Sequence, residues 1–374
     1  MLSPVALAAL NGVFLLALCR TSWVILLTRR RYNNVLLLVV AAVYLAQPLL
    51  FRHPRQPERL LFITIPWLHA LRAVELARRP AFARRLARAG FKQFLAFEMV
   101  FVDRADPAVG PKDQVVERRN WRLTRSLLKG ITFTILASFL AHLDITHIWA
   151  TTAFLDPQRH AIAAAMGVAL YLWMGCVADL VVGLAEPVVG IRMKDMFNNP
   201  FLATSLRSVW RGKWNSAFQE ALENAVRVPS TDVEEGETDV KVDAETEYAT
   251  ASVSSQPPAS LSLPPARPAR TRASVPDIIA VFLLSGVFHD HVNHVAFGTT
   301  SLLTTAFFAA QAVGCLLEAL LLPSARTSAM TIPRAVGGWL VAVAWLVLTA
   351  PWFLDPYIKA GGPVALPFCH VQLF

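Results

Sequence analysis

Charge is what this sequence has least of. Only 16% of its 374 residues are Asp, Glu, Lys or Arg, where an ordinary soluble domain carries about a quarter. A chain so short of polar side chains cannot cover itself in water, which excludes an ordinary soluble globule. Cysteine is nearly as scarce. Cys19, Cys176, Cys315 and Cys369 are scattered, without the spacing of a metal site, a redox pair or a disulfide framework. Three of them lie in apolar runs, where a thiol packs as a small hydrophobe. A G-x-S-x-G elbow is also missing, which argues against a serine hydrolase. The histidines do not form the close boxes of a membrane di-iron enzyme. His53, His69, His160 and His370 stand alone, and His142 and His147 are five apart, missing the one-turn spacing that two ligands on one helix face require.

What the chain has is apolar surface, 55% of its residues with a mean hydropathy of +0.46, and it comes in runs. About 20 apolar residues span a bilayer as a helix, which satisfies its own backbone polar groups. Spans are expected at 4–28, 34–51, 60–74, 127–150, 161–185, 276–298, 301–322 and 335–353, the third short enough to lie in the interface. The fold class is therefore all-α: a polytopic transmembrane bundle of about seven to nine spans. Leu16-Ala17-Leu18-Cys19 hints at a lipid-attachment site. However, the segment lacks a basic start and Leu18 is too large, so 1–28 reads as an uncleaved first span followed by Arg29-Arg30-Arg31. Arg20 within it can snorkel to the membrane edge.

The net charge of +9 resides in short loops beside apolar runs, the pattern that holds loops on the cytoplasmic side. No basic domain or recognition motif accompanies it, so nucleic acid is not an expected partner. Residues 76–98 read as a basic amphipathic helix, with Arg84, Arg85, Arg88 and Lys92 on one face and Phe82, Leu86 and Ala89 on another. It could lie on an anionic membrane surface or serve as a solvated loop helix. Residues 229–272 run from an acidic stretch into Ser, Pro and Ala and read as a disordered loop. The chain divides accordingly: an N-terminal hairpin region 1–75, the basic segment 76–126, helices with a polar motif at 127–228, the loop 229–272, and C-terminal helices 273–374.

Two regions could carry chemistry. The first, Phe197 to Asn215, places Trp210, Trp214, Arg207, Arg211, Lys213 and Asn215 after the turn at Asn199-Pro200. Aromatic and cationic residues suit the headgroup level, so the segment could be an interfacial anchor; a basic pocket could instead clamp the phosphates of a nucleotide-bearing donor. The second is Phe282 to His294. Ionisable residues inside an apolar helix are expensive and functional by default. His291 and His294 share a face, whereas His289 points away from both. Gly286, one turn before His289, would thin the helix and leave room for a ligand. An imidazole in an apolar tunnel is a fitting general base for an alcohol. For His291 and His294 a plain interhelical hydrogen bond is the better reading.

Together these regions resemble the wax-synthase branch of the membrane-bound O-acyltransferase superfamily. Its hallmark is N/D-P-F/Y-x-A-T-S-L-x-x-F-W-x-x-R-W-N/H, followed by S-G-x-x-H on a later helix. Asn199-Pro200-Phe201-Leu202-Ala203-Thr204-Ser205-Leu206 matches throughout, Trp210 and Trp214-Asn215 fall in register, and Ser285-Gly286-Val287-Phe288-His289 matches the second motif. Val209 and Lys213 depart from it, replacing the usual aromatic and Arg, and Arg118-Arg119-Asn120-Trp121 echoes an upstream Arg-Trp segment only faintly.

The resemblance implies a tunnel through the bundle, in a multi-pass protein of the endoplasmic reticulum membrane. Acyl-CoA, or acetyl-CoA, would serve as co-substrate with no bound cofactor and no metal. Its phosphates would lie near Arg207, Arg211 and Lys213, with Trp210, Trp214 and Ser285 in the substrate site. His289 would be the catalytic base and Asn215 would position the thioester or its oxyanion. The acceptor would be a lipophilic alcohol from the membrane, a long-chain alcohol giving a wax ester. The alternative is acetyl transfer to a hydroxylated secondary metabolite of terpenoid or polyketide type. A reading from another class is a non-catalytic transporter or scaffold.

Overall fold

The computed structural model describes residues 4–28, 32–50, 56–98, 112–189, 192–227, 274–299, 301–321 and 331–360. The expected disordered loop at 229–272 lies outside them. Thirteen α-helices and no β-strand are found among the described residues. The N-terminal group comprises α1 (Pro4–Leu27), α2 (Asn33–Leu50), α3 (Gln56–Arg78), α4 (Pro80–Arg88) and α5 (Phe91–Glu98). There follow α6 (Lys112–Ala141), α7 (Ile145–Thr151), α8 (Pro157–Val189), the single turn α9 (Leu206–Ser208), α10 (Ser216–Val226), α11 (Val275–Phe297), α12 (Leu303–Leu321) and α13 (Ile332–Lys359).

Among the described residues, six helical stretches are long and apolar enough to cross a membrane: Ala9–Leu27, Gln114–Ala141, Pro157–Val188, Val275–Phe297, Leu303–Leu321 and Ile332–Lys359. Asn33–Leu49 is apolar but shorter. The expected third span belongs to the longer α3, whose Arg72 and Glu75 pair at 2.8 Å, both almost wholly buried. The span expected at 127–150 is corrected. Helix α6 begins fifteen residues earlier, at Lys112, and stops at Ala141; a separate α7 is capped by Asp144, whose carboxylate accepts the His147 N–H. The single basic helix expected over 76–98 is likewise divided. Its first residues finish α3, Pro80 opens α4, and Gly90, with φ 109°, turns the chain into α5. Arg84, Arg85 and Arg88 are exposed while Ala83, Leu86 and Ala87 pack on α1, where Trp23 Nε1 donates to the Ala87 carbonyl. Arg20 stacks on the Trp23 ring at 4.3 Å and Phe91 at 4.9 Å.

Between helices in lipid there is little hydrophobic drive, and close contact of small residues with dispersion does the work. The C-terminal bundle follows that rule. A Cβ on Gly286 of α11 would meet the Thr305 Cα at 2.7 Å, and one on Gly338 of α13 would collide with the Thr204 carbonyl oxygen. Gly286 thus serves the packing of α11 against α12 and leaves no room for a ligand, contrary to expectation. Helix α11 itself is bounded by strong signals: a capping box of Ser274 and Asp277 with Pro276 in the first turn, and Gly298 at φ 72° after the last.

Candidate active site

The first motif region threads between α8, α12 and α13. Asn199, at φ 46°, leads into a 3-10 turn at Pro200–Leu202. Ser205 then caps α9, accepting the Ser208 N–H, and the chain widens into a π-turn over Val209–Lys213, closed by Gly212 at φ 98°. Asn215, at φ 43°, starts α10. Left-handed backbone is uncommon outside glycine, and Asn is among the residues that tolerate it. Neighbouring helices hold the segment. Trp339 Nε1 donates to the Phe201 carbonyl at 2.7 Å, and Tyr171 of α8 packs edge-on against Phe197 and Phe201 at 5.1 and 4.8 Å.

Beside this segment lies a cavity of about 950 Å³, within the range of small-molecule sites. His289, Asn215, Ser285, Trp210, Trp214, Arg207 and Arg211 all line it. Lys213 is not among its lining residues; its carbonyl accepts the Asn198 N–H at 3.0 Å. Arg207 is engaged already, its backbone N–H and Nε both donating to the Glu318 carboxylate at 3.0 and 3.1 Å. Arg211 is exposed.

His289 sits in an aromatic box, with ring centroids of Phe288, Phe308 and Phe353 at 4.6, 4.7 and 5.3 Å. Its Nδ1 lies 2.8 Å from the Ser285 carbonyl. A carbonyl can only accept, so Nδ1 carries the proton and Nε2 of the neutral ring keeps its lone pair. The side-chain oxygen of Asn215 accepts the Phe218 N–H at 3.3 Å, so its other end, the NH2, is the donor left for a ligand. His291 is used differently, its Nδ1 accepting from Trp67 Nε1 at 2.6 Å. Among the described residues, no group of three His, Cys, Asp or Glu is placed to hold a metal ion.

Some lining residues went unnoticed in the sequence. Gln219, Glu223 and Arg227 continue from Asn215 at four-residue steps, one face of α10, and line the same cavity. Gln219 Nε2 and Arg227 Nη1 both donate to Glu223, at 2.8 and 3.3 Å. That period was there to be read once Asn215 was in hand.

Residues 193–310, which contain both motif regions and end within α12, match the model described as "Membrane bound O-acyl transferase family". Over these residues the chain is similar to that family. Similar to it is "Probable long-chain-alcohol O-fatty-acyltransferase 2" of Arabidopsis thaliana, 24% identical over 213 residues, which are 57% of this chain and 52% of that protein. "Probable long-chain-alcohol O-fatty-acyltransferase 1" of the same plant is 30% identical over 71 residues, 19% and 21% of the two lengths. The chain thus spans about half the length of the first of these curated relatives. Both names accord with the wax-synthase branch of this membrane-bound O-acyltransferase family.

Proposed function

We propose that this chain is a membrane-bound O-acyltransferase that transfers an acyl group from acyl-CoA to the hydroxyl of a lipophilic acceptor, a long-chain alcohol giving a wax ester. The observation that carries the proposal is the lone pair of His289 Nε2 in the cavity that Asn215 also lines. In this mechanism His289 takes the hydroxyl proton as the alcohol oxygen bonds to the thioester carbon. The Asn215 NH2 donates to the oxyanion of the tetrahedral intermediate. The carbon–sulfur bond then breaks, and the imidazolium returns the proton to the CoA thiolate. No covalent enzyme intermediate is needed. Base catalysis contributes roughly 10²–10⁴-fold, one oxyanion donor roughly 10²–10³-fold, and proximity in the cavity much of the rest. Arg211, at the exposed edge of the cavity, would meet the CoA phosphates.

A second reading keeps the chemistry and exchanges the substrates: acetyl-CoA and a hydroxylated metabolite. The polar row Gln219–Glu223–Arg227 along the cavity supports it, since an alkyl chain has nothing to offer these groups. Membranes given labelled palmitoyl-CoA or acetyl-CoA, each with fatty alcohols or extracted metabolites, separate the two. Labelled wax ester from palmitoyl-CoA supports the first reading. Labelled acetyl ester alone supports the second, and absence of any ester would defeat both.

A further inference from the structure

Four of the charges on α6 fall on one face. Arg118, Arg122, Arg125 and Lys129 are spaced by four, three and four residues, and they meet Asp179 and Glu186, seven apart on α8. Arg118 Nε donates to Glu186 at 3.0 Å, Arg122 and Glu186 pair at 2.5 Å, Lys129 and Asp179 at 2.7 Å, and Arg125 binds Asp179. Such a seam would suffice to join two helices. It has, however, a third party on neither of them.

Residues 193–196 form a strap that passes from this seam to the first turn of α10. Met193 is held at both ends of its peptide, its N–H donating to Glu186 at 3.1 Å and its carbonyl accepting from Arg122 Nη2 at 2.6 Å. The Asp195 carboxylate receives Arg125 at 3.1 and 3.3 Å and Arg122 at 3.4 Å. On its other side the strap grips the residue after Asn215. The Asp195 carbonyl accepts Ser216 Oγ at 2.7 Å and the Met196 carbonyl accepts Ser216 N–H at 2.8 Å. Lys194 pairs with Glu220 one turn further on.

We infer that Arg122, Arg125 and Asp195 are positioning residues for Asn215, acting through this strap. Asn215 holds a left-handed backbone, which is uncommon for a residue with a Cβ and persists where its surroundings over-determine it. The side chain of Asp195 is 40% exposed and would be solvated without help. Its engagement by two arginines of the seam therefore serves the strap, because Arg122 keeps Glu186 and Arg125 keeps Asp179 without it. The signal lies outside both sequence motifs, in residues that are not among those lining the cavity.

The inference rests on the role proposed for Asn215, and the test keeps the two apart. Asp195→Asn, Ser216→Ala, Asn215→Ala and the Asp195→Asn/Asn215→Ala double variant are compared in membranes. The donor is whichever of palmitoyl-CoA and acetyl-CoA the wild-type protein turns over, and variant levels are matched by immunoblot. Asp195→Asn leaves the α6–α8 pairs in place, so it should insert normally. Its kcat should fall about tenfold, as expected of a sub-ångström misplacement, with both KM values within about twofold. Ser216→Ala should move in the same direction, and the double variant should be no slower than Asn215→Ala alone, since residues acting in one chain are non-additive. Full turnover in Asp195→Asn, a rise in KM alone, or losses that multiply in the double variant would each overturn the inference while leaving Asn215 its role. Full turnover in Asn215→Ala would remove that role and the inference with it.

Discussion

Two regions of this molecule keep polar side chains inside apolar helices, and they do so in opposite ways. Along the α6–α8 seam, every charge meets a counter-charge: Arg118 and Arg122 on Glu186, Arg125 on Asp179 and Asp195, Lys129 on Asp179. On α11 the polar residues around His289 are also sewn into the protein. Asp290 accepts the Thr305 N–H and hydroxyl at the start of α12, Asn293 donates to Thr304, and His291 accepts from Trp67. His289 is tied to its own helix through Nδ1, and of these four it is the one that lines the cavity. A polar group sewn in away from the cavity is structural; the one that also faces the cavity is the candidate for chemistry.

The comparison can be broken at either end. Replacing His289 by Ala should lower transfer by about 10²–10⁴-fold while the protein still reaches the membrane at normal levels; activity assays on level-matched membranes check this. Near-wild-type transfer would return His289 to the sewn-in class. Asn215→Ala should lower kcat by about 10²–10³-fold and raise KM far less, because a donor aimed at developing charge acts in the transition state. A defect confined to KM would assign Asn215 to ground-state binding instead.

The seam should respond in stability. Glu186→Gln removes the carboxylate that Arg118 and Arg122 share, and breaking a buried pair from one side costs about 3–5 kcal/mol. A Tm in detergent below that of the wild-type protein is expected; an unchanged Tm would show that lipid or water already solvates these arginines. The smallest effect is expected at His291→Ala. It strands the Trp67 N–H, worth about 1–3 kcal/mol, and should reduce transfer only in proportion to folded protein. Catalytic loss equal to that of His289→Ala would mean that the two histidines act together.

Much of this was legible from composition and motifs, because long apolar runs admit few structures in lipid and because Asn199-Pro200 through His289 is a dense pattern. The beginning of α6 was not. Arg118 to Lys129 made that stretch look too polar to belong to a span, and only the facing carboxylates of α8, fifty to seventy residues away, make it tolerable. Gly286 was misjudged for a related reason: an absent side chain marks close approach, and sequence alone does not say whether ligand or helix approaches. Thr305 supplied the answer. The α10 row stayed hidden because Glu223 and Arg227 look like an ordinary solvated i,i+4 pair until the cavity wall is known. The strap was illegible altogether, since its meaning lies in the partners of Asp195.

The left-handed backbone of Asn215 limits the alphabet open to that position. Glycine would adopt φ 43° freely but bring no donor. Aspartate would fit the turn and could still cap α10, yet would aim acceptors alone at an oxyanion. Asn and His remain, both enriched in this region of backbone space and both able to donate, and these are the two residues that the wax-synthase hallmark admits there. A substitution library at this codon, selected for ester formation, is therefore expected to return two letters of the twenty. Shape would eliminate most candidates before chemistry chose among the survivors.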